Sequence, residues 1–191
     1  HTATIYKKGD NGFDTYRIPA TVRTKKGTVL AFAEARKHSR SDTGDIDLVL
    51  RRSTDGGRTW GDIITVWDDA GNVCGNPAPI VDRETGRILL LSTWNDGTDH
   101  EKDIHARTAK DTRRVFVLYS DDDGLTWSSP REITPSVKRE DWTWYATGPC
   151  HAIQLQKGRH KGRIVVSCNH GLFKDGKGAG SYSHLIYSCL L

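Results

Sequence analysis

Two stretches of this chain carry the same eight-residue pattern, and that repetition restricts the fold more than any other feature. Ser53-Thr-Asp55-Gly-Gly57-Arg-Thr59-Trp60 and Ser120-Asp-Asp122-Asp-Gly124-Leu-Thr126-Trp127 both read Ser-x-Asp-x-Gly-x-Thr-Trp, with the serines 120 − 53 = 67 residues apart. In such a turn the carboxylate accepts backbone N–H groups, glycine supplies positive φ, and the indole packs under the adjoining strands. Ser53, Asp55, Gly57, Trp60, Ser120, Asp122, Gly124 and Trp127 are therefore read as fold staples, not catalysts. A further 68 residues on, Leu-Ile-Tyr precedes Ser188 much as Val-Leu-Tyr precedes Ser120, but Cys189-Leu190-Leu191 stand where the Asp is expected. A repeat of this period marks a stacked or radial architecture.

A second feature runs in phase with the first. Pro19-Ala-Thr-Val, Pro77-Ala-Pro-Ile and Pro149-Cys-His-Ala-Ile each open an apolar run followed by a turn and a second strand. Strand candidates by length and β-branched content are 28–34, 46–51, 87–93, 115–119, 163–168 and 184–187. No stretch has convincing helical periodicity, and the polar segment 101–113 reads as a loop. Each unit then runs strand, turn, strand, long loop, strand, Ser-x-Asp turn, strand: the four-stranded blade of a β-propeller. The fold class is all-β, with blades at about 17–67, 76–134 and an incomplete 147–191 in a single domain.

Composition removes other classes. At 36% hydrophobic residues, no run approaches the ~20 apolar residues of a membrane helix. The balance of 28 Lys plus Arg against 24 Asp plus Glu gives +4, without a basic stripe for nucleic acid. Cys74, Cys150, Cys168 and Cys189 show neither a Cys-x-x-Cys pair nor zinc spacing, and read as buried small hydrophobes. No metal site and no cofactor is expected. Without methionine and beginning at His1, the chain reads as a processed or cut piece.

Strand direction sorts the loops. With the entrance to the first strand of each unit called the top, the loops between second and third strands also lie on top, and the Ser-x-Asp turns lie beneath. The residues ahead of the aligned prolines (Arg17, Asn76 and Gly148) are expected to share a face near the axis. That face gathers Arg17, Arg36, Asp42, Asp45, Asn76, Trp94 and Tyr145, and propellers bind ligands at such a mouth. His100 and His105 read as solvated.

Tyr16-Arg17-Ile18-Pro19, Ala33-Glu34-Ala35-Arg36, Ser41-Asp42-x-Gly, Asn76-Pro77-Ala78-Pro79 and Trp144-Tyr145-Ala146-Thr147-Gly148-Pro149, together with the two turns, resemble the sialidase (neuraminidase) family. The resemblance covers the whole chain and the first half of that family's six-bladed catalytic propeller, so about three blades. It implies an exo-α-sialidase (EC 3.2.1.18) that hydrolyses terminal sialic acids from glycoproteins, glycolipids or oligosaccharides. It implies Arg17 as the first of three arginines gripping the sialic acid carboxylate and Asp42 as acid/base in a mobile loop. Arg36 is implied on the 4-hydroxyl side, Asn76 toward the N-acetyl group, and Trp94 as a wall of that pocket. Cys150 departs from the family's usual Gly after Gly-Pro. A Tyr nucleophile, its activating Glu and two further arginines are expected downstream; Tyr145 is not in the nucleophile position.

The chemistry is coherent. Arg supplies planar, permanently charged donors for a carboxylate, and an Asp beside it can protonate a leaving glycosidic oxygen and then deprotonate water. A carboxylate nucleophile would be repelled by the substrate's own charge, and sialidases use Tyr instead. The alternatives are a non-catalytic glycan-binding propeller of the same turns, or an inactive truncation product. The expected partner is a sialylated glycoconjugate, with no nucleic acid and no membrane insertion, and the substrate class implies a secreted, periplasmic, cell-surface or lysosomal setting.

Overall fold

The computed structural model describes residues 2–188. Eleven strands run in chain order: β1 (Thr15–Arg23), β2 (Val29–Arg36), β3 (Ile46–Ser53), β4 (Ile64–Trp67), β5 (Val73–Val81), β6 (Ile88–Asn95), β7 (Arg114–Ser120), β8 (Arg131–Glu132), β9 (Trp142–Gln154), β10 (Ile164–Lys174) and β11 (Lys177–Ser188). β1–β4 and β5–β8 are antiparallel meanders in the order of the expected units, and β9–β11 form a third sheet. The first two meet at a single parallel bridge, Ile46 with Val73. The units start at Thr15, Val73 and Trp142, a few residues ahead of the expected 17, 76 and 147. The segment read as a loop carries a short helix, α1 (Glu101–Ala106), anchored by the buried Ile104. A second short helix, α2 (Thr134–Val137), precedes β9.

Apolar faces, alternating with period two, bind the sheets to one another. Leu30, Phe32, Leu48, Leu50, Cys74, Ile88, Leu90 and Leu118 fill the space between the first two sheets. Ala78, Leu91, Val115, Tyr145, Ile164, Val166 and Cys168 fill the second interface. Cys74 and Cys168 are buried as small hydrophobes; the expectations for Cys189, for the side chain of Cys150 and for the third Ser-x-Asp turn lie outside the described residues.

Both turns close in the same way. Ser53 Oγ donates to Asp55 Oδ1 at 2.8 Å and accepts from Gly57 N at 2.8 Å, while the Arg58 and Thr59 N–H groups donate to the same carboxylate. Ser120, Asp122, Gly124, Leu125 and Thr126 repeat every one of these contacts. Thr59 and the other turn donors hold the Asp55 carboxyl far below the usual range. The second turn is also a strut between sheets: Asp123 accepts from Thr28 Oγ1 at 2.6 Å and Arg52 Nη2 at 2.9 Å, and Trp127 meets Phe32 edge-on at 5.6 Å.

The proline alignment needs one correction. Ile18, Asn76 and Gly148 are the equivalent residues, all at positive φ (53°, 52° and 70°). Each sits in a bulge: Ile18 and Pro19 face one residue between the pairs Arg17–Glu34 and Ala20–Phe32, and Asn76 and Pro77 do so between Gly75–Thr93 and Ala78–Leu91. The third bulge, in β9 opposite β10, is wider. Arg17 is therefore the counterpart of Gly75 and Thr147, one residue earlier than expected. A β-branched residue at such φ is a true outlier, costing about 1–2 kcal/mol, and bulges of this kind re-aim neighbouring side chains.

Candidate active site

Arg17, the third residue of β1, lies directly opposite Glu34 on β2, and Glu34 and Arg36 share a face two residues apart. Arg36 is buried, with Nη2 2.5 Å from Glu34 Oε2. Its Nη1 donates upward to the carbonyls of Arg40 (2.7 Å) and Ser41 (2.6 Å), shaping the loop that carries Asp42. Asp42 Oδ1 lies 2.9 Å from Arg17 Nη1 and 2.7 Å from Arg36 Nη1. Both guanidinium groups thus converge on one carboxylate oxygen at the top of the first sheet. The remaining donors of Arg17 have no partner among the described residues, and its side chain is 38% exposed.

The loop expected to be mobile is tied down at its base. Lys37 N donates to Asp45 O at 3.1 Å and Gly44 N to Gly97 O at 2.8 Å. A Cβ on Gly97 would sit 1.8 Å from the Gly71 carbonyl oxygen, so only glycine admits this crossing. Asp45 itself pairs with Lys37 at 3.3 Å.

Asn76 joins the cluster from the second sheet. Its N–H donates to Glu34 Oε1 at 2.9 Å, and its Oδ1 accepts from Arg113 Nη2 at 2.6 Å and Thr93 Oγ1 at 3.0 Å. Arg113, 3% exposed, lies 3.9 Å above the Trp144 ring. Burial draws its pKa down to about 10, which leaves it cationic at neutral pH. Gly75 makes room: a Cβ there would be 2.7 Å from Glu34 Oε1 and 3.4 Å from Arg113 Nη2. Three cations (Arg17, Arg36, Arg113) and two anions (Glu34, Asp42) leave the cluster at 3 − 2 = +1.

Two expected members lie elsewhere. Trp94 follows Thr93 on β6, so alternation turns it to the opposite face; its indole N–H donates to Asp69 Oδ2 at 2.6 Å and its ring packs in the first interface. Tyr145 is wholly buried in the second interface, its hydroxyl 2.7 Å from His184 Nε2. Trp144 is the aromatic beside Asn76's partner, and His105, expected as solvated, stacks on it at 6.4 Å and meets Thr143 Oγ1 at 3.1 Å. The sequence alone assigns no role to Glu34 or Arg113, and reads Trp144 as a packing residue. The Glu-x-Arg spacing on a strand was the one available signal for Glu34.

Residues 27–187 match the family described as BNR repeat-like domain. The chain is 37% identical over 164 residues to an exo-alpha-sialidase of Aspergillus fumigatus, covering 77% of this chain and 40% of that protein. It is 33% identical over 165 residues to human sialidase-3, covering 81% and 38% respectively. Among solved structures, a Hadza microbial sialidase superposes with TM-score 0.79 at 28% identity, over 94% of this chain and 36% of that one. A leech intramolecular trans-sialidase shares the fold alone, with TM-score 0.72 at 17% identity over 100% of this chain and 46% of that one. The chain thus spans about two fifths of the curated relatives it matches.

Proposed function

Because the chain belongs to the sialidase family of BNR repeat-like domains, we propose that it supplies the first part of an exo-α-sialidase site acting on terminal sialic acids of glycoconjugates. The observation that carries this reading is the convergence of Arg17 and Arg36 on Asp42, at 2.9 and 2.7 Å. Sialic acid bears a carboxylate on its anomeric carbon. Arg17, half exposed and with donors to spare, is the group that receives it, bidentately in the favoured geometry. An arriving carboxylate competes with Asp42 Oδ1 for Nη1, and releases Asp42 beside the scissile bond. Asp42, freed from Arg17 and protonated from solvent, gives that proton to the leaving oxygen, and as a carboxylate it afterwards takes a proton from the attacking water, as a general acid and base. Arg36, pinned by Glu34 and the loop carbonyls, holds Asp42 at that position and faces the 4-hydroxyl side. Asn76 faces the substituent at carbon 5.

The Tyr nucleophile, Glu partner and two further arginines that the resemblance implies are not assigned to any of these 191 residues, so this chain by itself is expected to turn over little or no substrate. The substrate class favours an extracellular, periplasmic or lysosomal setting. The test is hydrolysis of an aryl sialoside by the intact protein and its variants. Asp42→Asn should lower kcat by about 100-fold or more, and Arg17→Ala should lower kcat/KM. A protein that binds sialosides but never cleaves them would replace the enzyme reading with the binding-module one.

A further inference from the structure

Arg113 is the least expected charge in the molecule. It is buried against the face of Trp144 at 3.9 Å, and its Nη2 donates to Asn76 Oδ1 at 2.6 Å and Thr93 Oγ1 at 2.9 Å. Its backbone is clamped as well. Lys138 Nζ donates to Arg113 O at 2.7 Å and Thr143 O at 2.6 Å, with Thr112 Oγ1 as its third acceptor. The ammonium therefore ties the start of β7 to the start of β9, next to Trp144.

A guanidinium donates and never accepts. The amide end facing Arg113 must consequently be the oxygen, and the orientation of Asn76 is dictated by chemistry. Thr93 Oγ1, donating to the same oxygen, adds to the lock. The opposite end, Nδ2, takes no partner among the described residues, and Asn76 is only partly buried. The left-handed backbone at Asn76 (φ 52°) and the N–H bond to Glu34 fix where that N–H₂ group stands.

We propose that Arg113 is a positioning residue that converts Asn76 into an outward-facing hydrogen-bond donor, and so selects sugars whose facing substituent accepts a hydrogen bond. This rests on the sialidase reading, with Asn76 toward carbon 5. A 5-acylamino group offers its carbonyl oxygen to Nδ2. A 5-hydroxyl can accept, over a shorter reach. A 5-ammonium can only donate, and it meets a donor backed by a buried cation. A site built to donate discriminates strongly against a ligand that cannot accept, because a polar group is left unpaired.

The experiment compares steady-state hydrolysis of three aryl sialosides, 5-acetamido, 5-hydroxy and 5-amino, by the intact protein. The unaltered protein should prefer the acetamido form over the amino form by roughly tenfold or more in kcat/KM. Arg113→Gln, able to present either amide end to Asn76, should raise KM for the acetamido form about 3- to 10-fold with kcat little changed, and should shrink the preference. Arg113→Lys should restore part of it. Asn76→Asp keeps a partner for Arg113 but presents an oxygen outward, so the amino form should gain relative to the acetamido form. If Arg113→Gln fails to fold, Thr93→Val, which removes the second donor to Oδ1, should move the preference in the same direction by less. Variants that lower kcat on all three sugars alike with the ratios unchanged would overturn the assignment, as would an unaltered protein with no preference. Absence of turnover on any form would sink the sialidase reading along with it, whereas turnover without these shifts sinks the inference alone.

Discussion

Glu34→Gln should be among the most damaging single-atom changes this chain can suffer. Glu34 and Arg36 side chains are 4% and 3% exposed, and Arg113 is equally buried. Among the described residues the carboxylate is the buried anion paired with Arg36, and its charge also acts on Arg113; Asp42, the other partner of Arg36, is 62% exposed. Gln keeps the volume and can still accept from Asn76 N, now 2.9 Å from Oε1. Its N–H₂ would then face Arg36 Nη2 at the 2.5 Å now spanned by an ion pair, donor against donor. Removing one partner of a buried pair costs about 3–5 kcal/mol, because the other charge stays buried and uncompensated. With an m-value near 2 kcal/mol/M, the urea midpoint should fall by about 1.5–2.5 M, and Tm by about 6–20 °C for a domain of this size. Tryptophan fluorescence through a urea titration reads this directly. The cost should change little between low and high salt, since buried charges are weakly screened. In an Arg113→Met background it should shrink, because one cation fewer is left exposed to the loss. A midpoint within about 0.3 M of the parent at the same slope would show that Glu34 does not neutralise the cluster.

Asp47 is 3% exposed, and burial, then Asp68 and Asp45, push its carboxyl up to about 7. The folded chain thus holds a proton that the unfolded chain loses near pH 4, so this stability is present below about pH 4 and disappears as pH rises through 7. Asp47→Asn should accordingly raise Tm relative to the parent more at pH 8 than at pH 5, and an equal difference at both would refute it. His184 has the opposite sign: burial, then His170, draws its imidazole down to about 4, so its contribution is intact above pH 6.5 and lost as pH falls through 4. An NMR titration should place His184 near that value. Asp123 carries φ 66° and receives Thr28 and Arg52. Asp123→Ala should cost about 2–4 kcal/mol by denaturation, and Asp123→Gly about 1 kcal/mol less, since glycine bears that φ freely.

The Ser-x-Asp turns and the strand order were legible because their physics is local. Each turn bonds a side chain to backbone within five residues, so any window containing it contains its cause. Arg17, Arg36 and Asp42 were legible through motif and repeat phase, which place them at one end of one sheet. Strand parity sets Trp94 apart from the cluster. Strand alternation sends Thr93 and Trp94 to opposite faces, and proximity in sequence to the right residue is then distance in space. Ile18 and Asn76, at positive φ inside bulges, displaced the alignment of Arg17 by one place. That displacement depends on how many residues oppose one another across a ladder, which a single strand does not specify. Glu34 comes from β2, Arg113 from the loop ahead of β7 and Trp144 from β9, and their roles arise only from mutual burial. A guanidinium on a polar segment reads as solvated until packing removes its water, and only then must an anion, an amide oxygen and an indole face be found for it. Local chemistry therefore wrote the blades and their staples, while the charge balance and the donor polarity at the top of them were set by which side chains the packed sheets exclude from solvent together.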